Sequence, residues 1–158
     1  MVKQRHPTVE VFGVDGDPAI LELARKKADS AQADVHFDLG LATSIPYADA
    51  SYDRVLSSFL FHHLLRGDKV TALREVHRVL KSGGELHIAD WGKPQNWMMR
   101  TLFFAVQALD GFPTTQDSVE GLLPRLMAEA SFLDVRVTRS YATIFGTLSL
   151  YCAKKRAS

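Results

Sequence analysis

Residues 9–28, VEVFGVDGDPAILELARKKA, run an apolar, β-branched strand into an acid, a turn and a helix, and this unit decides the fold. The segment from Val9 to Asp15 ends at Gly16 and reads as a buried strand rather than an alternating surface one. Asp17 then serves as N-cap and Pro18 opens the helix, where its missing N–H costs nothing. Ile20, Leu21, Leu23, Ala24 and Ala28 keep helical spacing. Asp15 is left at the strand tip with a glycine behind it. An acid at the carboxyl end of a parallel strand can accept hydrogen bonds from both hydroxyls of a ribose lying across the strand ends. The alternative is that Asp15 only caps the turn, but Asp17 is the better cap, which leaves Asp15 for a ligand.

Outward from this unit, a short strand is expected over Ala33 to Phe37, then the turn-rich stretch GLATSIPYADAS and the apolar strand YDRVLSSF, 52–59. Arg66 to Lys81 is the most regular helix, with Val70, Leu73, Val76, His77 and Leu80 on one face and Gly83 placed to end it before the strand ELHIADW. An apolar helix follows from about Asn96 to Asp110, GFPTT reads as a loop, and a further helix is expected from about Asp117 to Ala130. The last two strands, near FLDVRVTRS and GTLSLYCAKK, are close enough in sequence to pair antiparallel. Alternation of this kind predicts an α/β, Rossmann-like fold: a mostly parallel sheet with helices on both faces and an antiparallel C-terminal strand pair.

A length of 158 residues suits one domain, 1–158, that buries roughly 70% of the surface its unfolded chain would expose. Lys plus Arg number 19 against 18 Asp plus Glu, a net charge of +1 without a concentrated basic footprint, which argues against nucleic acid as partner. The lone cysteine, Cys152, makes no internal disulfide, and with no secretion signal in view the expected location is cytoplasmic. WMMRTLFFAVQAL comes closest to a membrane span and is interrupted by Arg100, so no span is expected. No His, Cys, Asp and Glu cluster has metal-ligand spacing, and no metal is expected.

A VDGD pattern alone also suits nicotinamide enzymes. The order GLATSIPYADASYDRVLSSFLFHHL (40–64), then ALREVHRVLKSGGELHIADW (72–91), resembles the class I S-adenosylmethionine-dependent methyltransferases, most closely the branch of the ubiquinone and menaquinone biosynthesis methyltransferases. Ala42, Ile45, Pro46, Tyr47, Tyr52 with Asp53, His62 with His63, and Arg78 through Gly84 carry the resemblance, which covers most of residues 9–92. It implies S-adenosylmethionine as cofactor, with Asp15 on the ribose, Gly16 and Ile20 near the adenine, and Ala42 with Thr43 on its other side. Ser58 and Phe59 would border the methionine portion and the transferred methyl.

Two departures from the family pattern follow. Leu41 stands where an Asp commonly accepts from the adenine amino group, and Asp38 could substitute only through a loop shift. The family's first strand and Gly-x-Gly-x-Gly turn have no counterpart before Val9. The expectation is a domain missing its first family strand, with two strands left with unpaired inner edges and a homo-oligomer or strand-exchanged assembly to shield them.

His62 and His63 are the catalytic candidates, since a neutral imidazole can take a proton from a substrate hydroxyl or amine; the alternative is a turn that stabilises the fold. Trp97, Met98, Leu102, Phe103, Phe104, Val106 and Leu109 form core packing or, as the resemblance implies, a cover over a small, hydrophobic acceptor. Asp90 and Trp91 are placed to border the same acceptor. The expected function is therefore a methyltransferase acting on a small molecule; the alternatives are a non-catalytic remnant serving as an oligomeric binding module and, last, a nicotinamide dehydrogenase.

Overall fold

The computed structural model describes residues 2–95 and 97–157, and the chain divides into two units, one ending at Tyr47 and the other beginning at Ala48. The first unit holds a short helix α1 (Val2–Arg5), strand β1 (Phe12–Asp15), helix α2 (Pro18–Ser30) and strand β2 (His36–Leu39). β1 and β2 pair in parallel from Phe12↔His36 to Asp15↔Leu39. α2 starts as its sequence requires: the Asp17 side chain accepts from the Ala19 N–H at 2.8 Å and Pro18 follows in the first turn. Leu21 and Ala28 are its buried residues. Both strands are shorter or later than expected, β1 lacking Val9–Val11 and β2 starting at His36 rather than Ala33.

The second unit contains β3 (Tyr52–Ser58), a single 3₁₀ turn (Phe61–His63), α3 (Arg66–Val79), β4 (Leu80–Trp91), α4 (Trp97–Asp110), α5 (Phe112–Glu120), α6 (Leu123–Glu129), β5 (Leu133–Thr143) and β6 (Gly146–Lys154). Its sheet has the order β3-β4-β6-β5, with β3 parallel to β4 and the other pairs antiparallel. Among the described residues β1 pairs only with β2, and β3 only with β4, so each strand has one edge without a strand partner. The fold class is as expected: α/β, with parallel pairing in the strands that precede the antiparallel C-terminal hairpin.

Three local expectations are corrected. Gly83 does not end α3: the helix stops at Val79 because Leu80 turns extended, and β4 begins there. Residues 81–84 bulge out of the ladder between Tyr52↔Leu80 and Arg54↔Glu85. Gly83 has a φ of +75°, and a Cβ on Gly84 would come within 2.9 Å of the Lys81 carbonyl oxygen, so both glycines serve this bulge. GFPTT is the first turn of α5 rather than a loop, since Pro113 sits where helices accept proline. The single helix expected to Ala130 is two, because Gly121 adopts a left-handed φ of +70° and closes α5. The expected helix start at Asn96 lies outside the described residues.

The core of the second unit forms where α3 and α6 meet the sheet, with Leu73, Leu80, Leu86 and Met127 wholly withdrawn from water. α5 is tied to α3 by charge. Lys69, buried, donates to Asp117 at 3.0 Å and to the Thr114 carbonyl at 2.7 Å, while Arg66 reaches Asp117 from the exposed side at 2.6 Å. Burial pushes the Asp117 carboxyl up, but the hydrogen bonds and charges of Arg66 and Lys69 outweigh it and hold it below the usual carboxylate range.

Candidate functional site

In the first unit the site is built on the carboxyl end of β1. Pairing with β2 fixes the Asp15 backbone, and its carbonyl accepts from the Gly40 N–H at 3.1 Å. The Asp15 carboxylate is half-buried and uses Oδ1 to accept from the Asp17 N–H at 2.9 Å. No Arg or Lys pairs with it, and Oδ2 has no hydrogen-bond partner among the described residues. The sequence placed the cap on Asp17, and Asp17 is the cap; Asp15 adds a turn contact with one oxygen and keeps the other as an acceptor.

Around this tip, the Leu41 side chain packs so close to Gly16 that an added Cβ would stand 3.0 Å from it. Ile20 lies exposed on the first turn of α2. Leu41 and Ser44 close a tight turn through the Ser44 N–H to Leu41 carbonyl bond at 3.0 Å, with Ala42 and Thr43 half-buried at its centre. Leu41 is 60% exposed and offers no acceptor. Asp38 is engaged by the Tyr47 hydroxyl at 3.0 Å.

In the second unit the parallel register Ser58↔Ala89 brings the residues after β3 beside the end of β4. Phe59 adopts a φ of +52°, a left-handed conformation that costs a bulky side chain energy, and its N–H donates to the Ala89 carbonyl at 2.9 Å. Its ring packs edge-on against Trp91 at 5.4 Å and His62 at 6.1 Å. Asp90, 1% exposed, gathers the turn: it accepts from the Phe61 N–H at 2.8 Å and the Trp91 N–H at 2.7 Å, and meets His62 Nδ1 at 2.7 Å. His62 is itself only 3% exposed, whereas His63 is exposed with its ring 3.8 Å from that of His62. Ser58 is exposed at the strand tip. Tyr151, on β6, is held neutral, its phenol pushed up to about 12 by burial and by the Asp90 charge, against a lowering hydrogen bond from Ser149.

A family model described as a methyltransferase domain matches residues 2–88, more than half of the chain. The chain belongs to that family. Its fold is also that of solved methyltransferases: a SAM-dependent methyltransferase of Methanosarcina mazei superposes with a TM-score of 0.75 at 22% identity, covering 99% of this chain and 87% of that one. Among curated proteins, a demethylmenaquinone methyltransferase of Deinococcus radiodurans is 37% identical over 102 residues, which is 65% of this chain and 42% of the relative. A ubiquinone/menaquinone biosynthesis C-methyltransferase of Geobacter sp. (strain M21) is 26% identical over 167 residues, 92% of this chain and 70% of its own length. The chain thus spans less than half of the first of these relatives and about two thirds of the second.

Within this methyltransferase domain, Asp15, Gly16, Ile20, Ala42 and Thr43 all lie in the first unit, and Ser58, Phe59, His62 and His63 in the second. Sequence reasoning treated the two histidines alike; the fold separates them, burying one on Asp90 and exposing the other. The pairing was hidden because 28 residues separate His62 from Asp90 and only the β3–β4 register brings them together.

Proposed function

We propose that this chain carries out S-adenosylmethionine-dependent methyl transfer to a small acceptor, as one functional domain over residues 1–158. The match to the family runs through Tyr47 into the second unit, which supports a single working domain. The observation that carries the reading is the open Oδ2 of Asp15, an acceptor with no cation to satisfy it, at a strand tip where a ribose diol needs one. S-adenosylmethionine, when bound, supplies an electrophilic methyl group on a sulfonium.

In this reading Asp15 accepts from the ribose hydroxyls, Gly16 and Ile20 lie near the adenine, and Ala42 with Thr43 approaches its other side. The exposed Leu41 leaves the adenine amino group to water, which costs little. Ser58 and Phe59 border the methionine portion and the methyl group. Asp90 and buried His62 hold the turn in shape, and exposed His63 faces the acceptor, where its imidazole takes the proton of a hydroxyl or amine as the new bond forms. Alignment of a nucleophilic acceptor supplies most of the rate.

The lack of a second strand partner for β3 among the described residues supports a second copy of the chain as partner, and a reducing, cytoplasmic setting suits the free, buried thiol of Cys152. Light scattering that returns a monomer at all concentrations contradicts the assembly. The reaction's first requirement is tested by calorimetric titration of S-adenosylhomocysteine into wild type and Asp15→Ala. Binding by wild type, weakened about tenfold or more in the variant, is expected. Absence of heat from wild type at millimolar ligand leaves the non-catalytic binding module instead.

A further inference from the structure

The turn at residues 41–44 is tied to the strand tip that carries Asp15. The Gly40 N–H donates to the Asp15 carbonyl at 3.1 Å, and Leu41 Cδ2 lies where a Cβ on Gly16 would meet it at 3.0 Å. The carboxylates near this tip other than Asp15 are engaged elsewhere. Asp17 accepts from the Ala19 N–H as helix cap, and Glu22, one turn into α2, pairs with Lys26 at 2.6 Å. Asp38 accepts from the Tyr47 hydroxyl at 3.0 Å and, paired with Val14 one step before the tip, projects from the opposite face of the two strands to Asp15.

What stands exposed here is apolar: Ile20, Leu39 and Leu41 are 48%, 59% and 60% exposed. Thr43 and Ser44 add hydroxyls, which donate as readily as they accept. In the first unit, a ligand edge that reaches the turn therefore meets apolar surface open to water rather than a fixed acceptor. A site that hydrogen-bonds an amino group is left with an unpaired acceptor when that group is masked, and it rejects the masked ligand strongly. Leu41 has no acceptor to leave unpaired, and its exposure leaves space for added groups.

We propose that Leu41 makes the cofactor site indifferent to substitution on the exocyclic amino group of the purine, so that S-adenosyl ligands alkylated on that nitrogen bind as the parent does. This rests on the methyl-transfer reading above, in which the ribose is held by Asp15 and the adenine lies beside Gly16 and the 41–44 turn. Selectivity for the cofactor then comes from the ribose and the methionine portion, not from the amino edge of the base.

The test is calorimetric titration of the full chain with S-adenosylhomocysteine and with its analogue dimethylated on the exocyclic amino group. Wild type is expected to bind the two within about threefold of each other. Leu41→Asp and Leu41→Asn each place an acceptor beside the purine edge, and both should favour the parent ligand over the analogue by about tenfold or more. Their thermal unfolding should stay close to that of wild type, because the side chain is exposed. Wild type that binds the parent but takes the analogue more than about threefold more weakly overturns this proposal alone. Variants that gain no preference overturn it too, since Leu41 then does not border the base. Wild type that binds neither ligand overturns the methyl-transfer reading and this proposal with it.

Discussion

In the first unit Leu21, Ala28 and Ala33 are withdrawn from water while Phe12, Ile20, Leu23, Leu39 and Leu41 remain exposed; in the second, Leu73, Leu80, Leu86, Ile88, Phe103 and Met127 are sealed beneath four strands and their helices. Both are built from strand-helix pieces of the same kind. Burial stabilises by about 25 cal/mol per Å² of apolar surface, so the second unit holds most of the chain's folding free energy. The first rests on one capped helix and a four-residue parallel ladder, and a two-stranded sheet is marginal without cover. Asp15 thus stands on the weaker unit, and whatever covers that unit, a ligand included, stabilises the surface it uses.

The largest expected effect lies in the second unit. Asp117→Ala leaves the buried Lys69 ammonium without its carboxylate and is expected to cost about 3–5 kcal/mol in urea unfolding. Next comes a matched pair: Leu86→Ala should cost about 2–5 kcal/mol and Leu39→Ala no more than about 0.5 kcal/mol, because one side chain is sealed and the other exposed. Equal costs would erase the contrast between the units. Amide exchange should rank the same way, with β1 and β2 opening at least about tenfold more readily than β4 and β6.

The smallest effects are those of pH. Asp117 titrates below its ordinary value, so its contribution is present above about pH 4 and is lost as pH falls through the lowered value. The stability gap between wild type and Asp117→Asn should narrow in that acid range. Burial, aided by the Lys155 charge, lowers the His77 imidazole, whose ring packs edge-on against Phe132 at 5.2 Å. The neutral ring is favoured, so this contribution is present above about pH 6.5 and fades as pH falls through the lowered value. His77→Gln should flatten the stability profile there.

Local chemistry made much of this legible. Asp17 and Pro18 announced α2, the period of Val70, Leu73 and Val76 announced α3, and the β5–β6 hairpin followed from two strands with little chain between them. What escaped depended on partners distant in sequence. KSGG reads as a helix stop until the Tyr52↔Leu80 pairing draws it into β4 as a bulge. GFPTT reads as a loop by composition, though a proline in a first turn is equally a helix start, and Gly121 inside the next apolar run was the signal that two helices were present. That Asp15 ends a strand was legible because the strand-turn-helix chemistry around it is local. Asp90 was placed near the acceptor, but its grip on His62 needed the register of two strands.

The central claim is that the free oxygen of Asp15 binds the ribose of S-adenosylmethionine. Amide-resolved NMR titration with S-adenosylhomocysteine tests it most directly. The largest shifts are expected at Asp15, Gly16 and the 41–44 turn, and they should vanish in Asp15→Ala while the β5–β6 hairpin spectrum stays unchanged. Unmoved Asp15 and Gly16 amides at saturating ligand, or an Asp15→Ala variant that binds as wild type does, would contradict it.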